Sequence, residues 1–277
     1  MAIVLSPSTM WGVLTCPYKF YNSVYVAEPT NVIHGYLMNA AWCAGMAGTD
    51  NKLGPWLRYY NNYVNSRVEK KKQLSLEALK TWMWKIYKLI KSYITPDYQV
   101  FQEQKFDYPF ELEWDWEDLW ISGQPDIIVL YNNPDRETGE VCHIIDIKCG
   151  KISWYEKPDI WRENAQRYVY SRFIFNHFWQ EIALTWIEKP IVKFSFAVVD
   201  KSSWDLQLFS KELDEYTVDI QMREHIKQLR KLQQQNLDKK DYPATKCRGC
   251  AFCEFVDTCP LKAAEVSVTN EELDAIF

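Results

Sequence analysis

Apolar and polar positions along this chain follow two rhythms. Residues 8–26 are aromatic-rich, and the start signal Ser6-Pro7-Ser8 ahead of them predicts a helix. Residues 31–47 are a second apolar stretch and predict another. Gly48 to Pro55 is a turn-rich break. Within 56–94, Leu76, Leu79, Trp82, Met83, Ile86, Leu89 and Ile90 recur at helical spacing, and Pro96 ends the run. The period then shortens. Residues 100–110 and 119–131 read as strands separated by an acidic, Trp-bearing turn. Asn132-Asn133-Pro134-Asp135 is a strong turn signal, after which residues 141–148 return as a strand beside 127–131. Residues 159–186 predict a long aromatic helix. Residues 191–200 alternate as a strand, with 204–209 as its partner. Residues 213–236 predict a helix with Ile220, Ile226, Leu229 and Leu232 on its apolar face. The order helices, strands, helix, strands, helix suits an α/β or α+β fold with a mixed sheet.

Composition narrows the class. The chain has 277 residues, 47% hydrophobic and 25% charged, as expected for a globular protein with a sizeable core. Only 9 glycines stand against 13 Trp, 17 Tyr and 13 Phe, which excludes collagen-like and disordered classes. No apolar run approaches the roughly 18–20 residues that span a bilayer, and the start Met1 to Pro7 lacks the pattern of a signal peptide. A cytoplasmic location without membrane partners is expected, and there the eight cysteines need an account other than disulfides. A net charge of −5 disfavours nonspecific coating of nucleic acid but leaves room for a local basic groove.

The sharpest chemical signal is Gly123-Gln124-Pro125-Asp126 followed by Ile144-Ile145-Asp146-Ile147-Lys148. Side chains at i and i+2 of a strand share a face. Asp146 and Lys148 are therefore expected together, with Ile145 and Ile147 facing the core on the other side. Pairing of the two strands would bring Asp126 to Asp146. Adjacent carboxylates repel unless something positive intervenes. A hard cation such as Mg²⁺ suits oxygen ligands, and a neighbouring lysine can orient water or balance charge on a phosphate. Alone, a D-x-K tripeptide mostly means a surface salt bridge; the flanking isoleucines predict a buried strand, where charge is costly without a purpose.

Cys250, Cys253 and Cys259 give C-x-x-C-x5-C, a spacing at which three thiolates converge on one metal centre. A fourth ligand comes either from Cys247 next door or from Cys16 near the start. Spacing leaves both open, and four thiolates bind zinc or iron–sulfur. Cys43, Cys142 and Cys149 read as buried thiols.

Positive charge is local. Arg162, Arg167 and Arg172 lie on the 159–186 helix, with Lys151 and Lys157 ahead of it, and phosphate contacts from such residues fix register without reading sequence. Residues 56–93 interleave Trp56, Tyr59, Tyr60, Tyr63 and Trp82 with Arg58, Arg67 and Lys70 to Lys72. Aromatics beside cations suit single strands, although helical aromatics are more often core and a lysine run is usually a solvated face. No phosphate-cradling Gly-x4-Gly-Lys-Ser/Thr loop is present, so no ATP motor is expected. Thr269 and Glu272 form a capping-box pattern for a short terminal helix.

The G-x-x-D and D-x-K strands resemble the core of the PD-(D/E)xK nuclease superfamily. Gln166-Arg167-Tyr168-Val169-Tyr170 is similar to the Q-x-x-x-Y helix motif of its RecB-type branch, and Val32-Ile33-His34 resembles that branch's helix histidine, although Thr30 and Met38 stand where the family often has Gly and Glu. Glu103 falls where the family often carries an extra acid. Cys16-Pro17-Tyr18-Lys19-Phe20, with the C-terminal trio and Phe255, resembles the AddB-type and CRISPR-adaptation iron–sulfur nucleases, which place one cysteine ahead of the core and three after it.

The resemblance implies one nuclease domain over 1–277. Within it come an N-terminal cluster segment 1–30, a helical insertion 48–97, a catalytic core 98–210 and a C-terminal helix and cluster segment 211–277. It implies a mixed central sheet flanked by helices. It implies a metal-dependent DNA exonuclease acting on single-stranded DNA or duplex ends, beside a separate helicase, recombinase or integrase. Asp126, Asp146, the Ile147 carbonyl and His34 would hold Mg²⁺ or Mn²⁺. Lys148 would position or activate water, and Gln166 and Tyr170 would orient DNA or the lysine. Arg162, Arg167 and Tyr170 would contact DNA. Cys16, Cys250, Cys253 and Cys259 would hold a [4Fe–4S] cluster stapling the chain ends. A zinc knuckle using Cys247, an end-trimming nuclease of a CRISPR-adaptation complex, and a non-catalytic DNA-binding module are the alternatives.

Overall fold

The computed structural model describes residues 3–22, 99–102, 105–109, 119–132, 140–157, 164–178, 191–200 and 205–235. It also describes helical positions 77, 80, 81, 84, 85, 88 and 89, Ser92, Ser203, 237, 238, 241–245, Cys253, Phe255 and 258–261.

Two sheets organise these residues. Strand β1 (Ile3–Leu5) runs parallel to β4 (Leu119–Gly123), which pairs antiparallel with β3 (Phe106–Pro109). The larger sheet has the order β2-β5-β6-β7-β8, from β2 (Gln99–Gln102), β5 (Ile127–Asn132), β6 (Glu140–Gly150), β7 (Ile191–Asp200) and β8 (Leu206–Leu213). Within this larger sheet β6 and β7 are the parallel pair; the chain between them carries helices α3 (Ile152–Tyr155) and α4 (Ala165–Phe173), as a parallel connection requires. Helices α1 (Pro7–Thr15), α2 (Pro17–Asn22) and α5 (Glu215–Gln234) complete the described elements. The chain is thus a mixed α/β fold with a central five-stranded mixed sheet flanked by helices.

β6 and β7 are almost entirely buried, which explains their dense β-branched and aromatic runs. The main core cluster joins Cys142 and Ile144 of β6 and Phe194, Phe196 and Val198 of β7 to α4 residues Tyr168, Val169, Tyr170 and Phe173. Met10, Val13, Val218, Met222 and Ile226 close it from α1 and α5. The Cys142 thiol is pushed up in pKa by burial.

Several expectations change. The 8–26 helix is two helices, because Pro17 lacks the N–H that would continue α1 and instead opens α2. The single 100–110 strand is two strands in different sheets, so uninterrupted alternation concealed a change of partner. Ile144 shares the acid's face and belongs to the main core, while Ile145 is buried on the opposite face. Both faces of β6 are therefore covered at this point. The 159–186 helix is described only at 165–178, where α4 widens into a π-helical turn at Ile174–Phe178.

Candidate functional site

The site lies at the C-terminal ends of β6 and β7. Antiparallel pairing of β5 and β6 sets Ile127 against Ile145, so the next residues, Asp126 and Asp146, meet across the ladder. Pro125 has no N–H and precedes the strand. Asp126 extends the pairing with its side chain, accepting a 2.7 Å hydrogen bond from the Ile147 N–H at Oδ2. Asp146 is 3% exposed. Two residues on and on the same face, Lys148 Nζ lies 2.5 Å from Asp146 Oδ2.

The lysine is an ammonium. Burial alone would lower its pKa, but Asp146, then Tyr155 and Asp126, outweigh that effect and the net shift is upward. As an ammonium it can hold a water or a phosphate oxygen.

Helix α4 supports the acids from below. Its N-cap, Asn164, accepts a 2.8 Å hydrogen bond from the Gln166 N–H. One turn on, the Tyr170 hydroxyl donates to the Gln124 carbonyl at 3.3 Å, in the turn that delivers Asp126. The Gln166 side chain also hydrogen-bonds this phenol. Burial, then Asp146 and Asp126, push the Tyr170 phenol upward. Gly123 leaves room for this brace. A Cβ there would come within 2.5 Å of Phe106 Cζ and 3.0 Å of Tyr170 Cε1. Phe106 cannot easily yield, because its ring stacks on Phe173 at 4.3 Å.

Two further residues were not apparent from motifs. Asp200, at the end of β7, accepts from the N–H groups of Ile152 and Ser203, each at 3.1 Å, and so fixes the start of α3. That helix presents Tyr155 against Phe196, with ring centroids 5.5 Å apart. Phe196 is the register partner of Asp146, which places Tyr155 over the acid's face. Nothing in the spacing signals either residue, since each is recruited by the parallel crossover.

Other expected residues fall elsewhere. Arg167, expected at the DNA surface, is 5% exposed, with its guanidinium 4.3 Å from the Tyr168 ring centroid and hydrogen-bonded to the Tyr168 hydroxyl. It is an interhelical cation: burial, then Arg167, lower the His225 imidazole to about 4. Arg172 is likewise held by Asp219 of α5. Tyr170, expected to touch DNA, is buried beneath the acids. His34, Glu103, Arg162, Cys247 and Cys250 lie outside the described residues, as do Trp56 to Lys72 and Trp82.

The chain ends meet around Cys16. This thiol is buried at the α1–α2 junction. Next to it, the Tyr18 hydroxyl donates to the Thr258 carbonyl at 3.2 Å, and the Tyr18 ring meets Phe255 edge-on at 6.0 Å. Tyr21 stacks on Tyr242 at 3.8 Å. Cys253 and Cys259 flank Phe255 and Thr258 as free thiols. Among the described residues, no group of three or more His, Cys, Asp or Glu side chains is arranged to hold a metal ion. Nor is any helix among them long and apolar enough to cross a membrane.

No protein-family model matches the chain, and no curated protein matches it. Solved structures do resemble it. A protein of Eubacterium rectale, provisionally named an exonuclease, aligns over 96% of this chain and 89% of its own, at 12% identity and a TM-score of 0.46. The protein SSO0001 aligns over 92% and 96%, at 12% identity and a TM-score of 0.30. Likenesses this remote assign no activity.

Proposed function

We propose that the protein is a metal-dependent DNA nuclease of the exonuclease type. The observation that carries the reading is the convergence of Asp126, Lys148 and the buried Asp146 at one strand end. One ammonium and two carboxylates sum to −1, and both acids raise the Tyr170 phenol. A half-buried cluster of oxygen donors with that net charge has the chemistry of a Mg²⁺ or Mn²⁺ site. The described residues supply two carboxylates, Asp126 and Asp146, and the Ile147 carbonyl and His34 are proposed to complete the set. When bound, the cation would supply Lewis-acid stabilisation of charge on the phosphate.

The chain's own groups have separate tasks in this reading. Lys148 holds a water or a phosphate oxygen as a fixed cation. Asp146 keeps the ammonium in place. Tyr170 and Gln166 fix the turn that aims Asp126. The mixed sheet, with its antiparallel β5–β6 pair followed by a parallel β7, is compatible with a nuclease core.

The cysteines are proposed to hold a [4Fe–4S] cluster through Cys16, Cys250, Cys253 and Cys259. Support comes from the Tyr18–Thr258 and Tyr18–Phe255 contacts, which draw both chain ends together. Thiolates of this number suit iron–sulfur, and binding energy would then become folding energy.

The test is digestion of single- and double-stranded DNA, labelled at either end, with Mg²⁺ or Mn²⁺. Metal-dependent loss of end label that disappears in Asp146→Asn is expected. DNA binding without cleavage under every metal condition would favour the non-catalytic module. Cleavage appearing only beside an integrase would favour the end-trimming role.

A further inference from the structure

The helical positions 77–89 carry an aromatic and cationic stripe that the proposed centre does not use. Lys80, Trp84 and Lys88 follow at i, i+4 and i+8, so they lie along one side of the helix. All three are exposed, and Trp84, at 49%, is a large aromatic surface to leave in water. Lys88 Nζ stands 5.5 Å from the Trp84 ring centroid. Glu77 lies on the same side one turn before Lys80, which marks where the cationic stretch begins.

The helix is tethered near the acids. Lys85 Nζ pairs with Asp205 Oδ1 at 3.2 Å, and the Asp205 carbonyl accepts from the Asp200 N–H at 2.8 Å. Asp200 pairs in register with Gly150, two residues beyond Lys148 on β6, or about 7 Å of strand. The stripe is therefore joined to the end of the sheet that holds Asp126, Asp146 and Lys148. Lys85 also pairs with the exposed Asp205 carboxylate of this link, which would otherwise repel a phosphate.

We propose that Trp84, flanked by Lys80 and Lys88, is a stacking platform for an unpaired stretch of nucleic acid that leads toward the acid–lysine centre. The occupant follows from chemistry. An exposed indole offers a face to any base, while the lysines one turn to either side match a polyanion. A duplex hides its base faces and fits the stripe less well. The proposal deepens the nuclease reading and rests on it for direction, but binding can be measured without cleavage.

The experiment is fluorescence anisotropy with a labelled oligo(dT) and an abasic oligomer of equal length, on the full chain without added divalent metal. Trp84→Ala should weaken oligo(dT) binding by roughly tenfold, as for one lost stacked base, and leave abasic binding unchanged. Trp84→Tyr should retain most of the affinity, which excludes a folding defect. Lys80→Ala and Lys88→Ala should each reduce the salt slope by about 0.7. Unchanged oligo(dT) affinity in Trp84→Ala, equal losses on both oligomers, or no binding by the unsubstituted protein would each overturn the platform. Absence of cleavage with Trp84-dependent binding intact would sink the nuclease reading alone. Cleavage with Trp84-independent binding would sink the platform alone.

Discussion

The Tyr170 hydroxyl donates to the Gln124 carbonyl, and through that bond helix α4 holds the turn on which Asp126 faces Asp146. Asp126 is thus positioned by a helix residue 46 positions beyond Gln124 as well as by its own strand. Tyr170→Phe removes the phenol's hydrogen bonds to the Gln124 carbonyl and the Gln166 side chain and should cost about 1–2 kcal/mol in denaturant unfolding. Cleavage should fall further than stability does, because Asp126 loses its aim. Equal activity in the two proteins would show that the turn is rigid without the phenol.

Gly123 permits this brace. Gly123→Ala places a methyl against Phe106 and Tyr170, both ring atoms in a packed core. Overpacking of this kind should destabilise by about 1–3 kcal/mol. Thermal melts would measure it, and a neutral result would mean that the rings have room to withdraw.

One buried and one half-buried imidazole, His143 and His225, predict acid lability. His143 is lowered to about 3 by burial and then Lys193, and its Nε2 lies 2.6 Å from Ser195 Oγ. His225 is lowered to about 4. A depressed folded pKa means that the unfolded chain binds the proton first. Stability from both groups is present above the unfolded value of about 6.5 and is lost as pH falls through about 4 and then about 3. Melting temperature should drop steadily below pH 6.5. His225→Gln should remove about one proton's share of that slope, and an unchanged slope would contradict the placement of His225.

The proposed cluster makes a spectroscopic prediction. Protein purified without oxygen should be brown, with the visible absorption of thiolate-ligated iron–sulfur. Cys16→Ser should bleach it and lower the melting temperature, while Cys247→Ser should do neither. A colourless protein that loses zinc on Cys247→Ser would establish the alternative ligand set.

Much of the architecture was legible in local pattern. Strand β7 has the expected bounds, Ile191 to Asp200, although its burial is near-continuous rather than alternating, and the i, i+2 rule placed Lys148 beside Asp146. Other features depended on partners distant in sequence. β1 is three residues long and exists through its pairing with β4. The break at Cys16–Pro17 was signalled by the proline but masked by continuous aromatics. Arg167 resembled a surface cation because α5, which brings His225 against Tyr168, closes over it only through tertiary packing. Asp200 and Tyr155 reach the site through a crossover that spacing alone does not display.

The central claim is that Asp126 and Asp146 together form a divalent-cation site. Calorimetric titration of Mn²⁺ into the unsubstituted protein, Asp126→Asn and Asp146→Asn tests it most directly. The expected result is a binding site that is lost, or weakened at least tenfold, when either carboxylate is removed. Binding unchanged in both variants, or no binding to the unsubstituted protein, would contradict it.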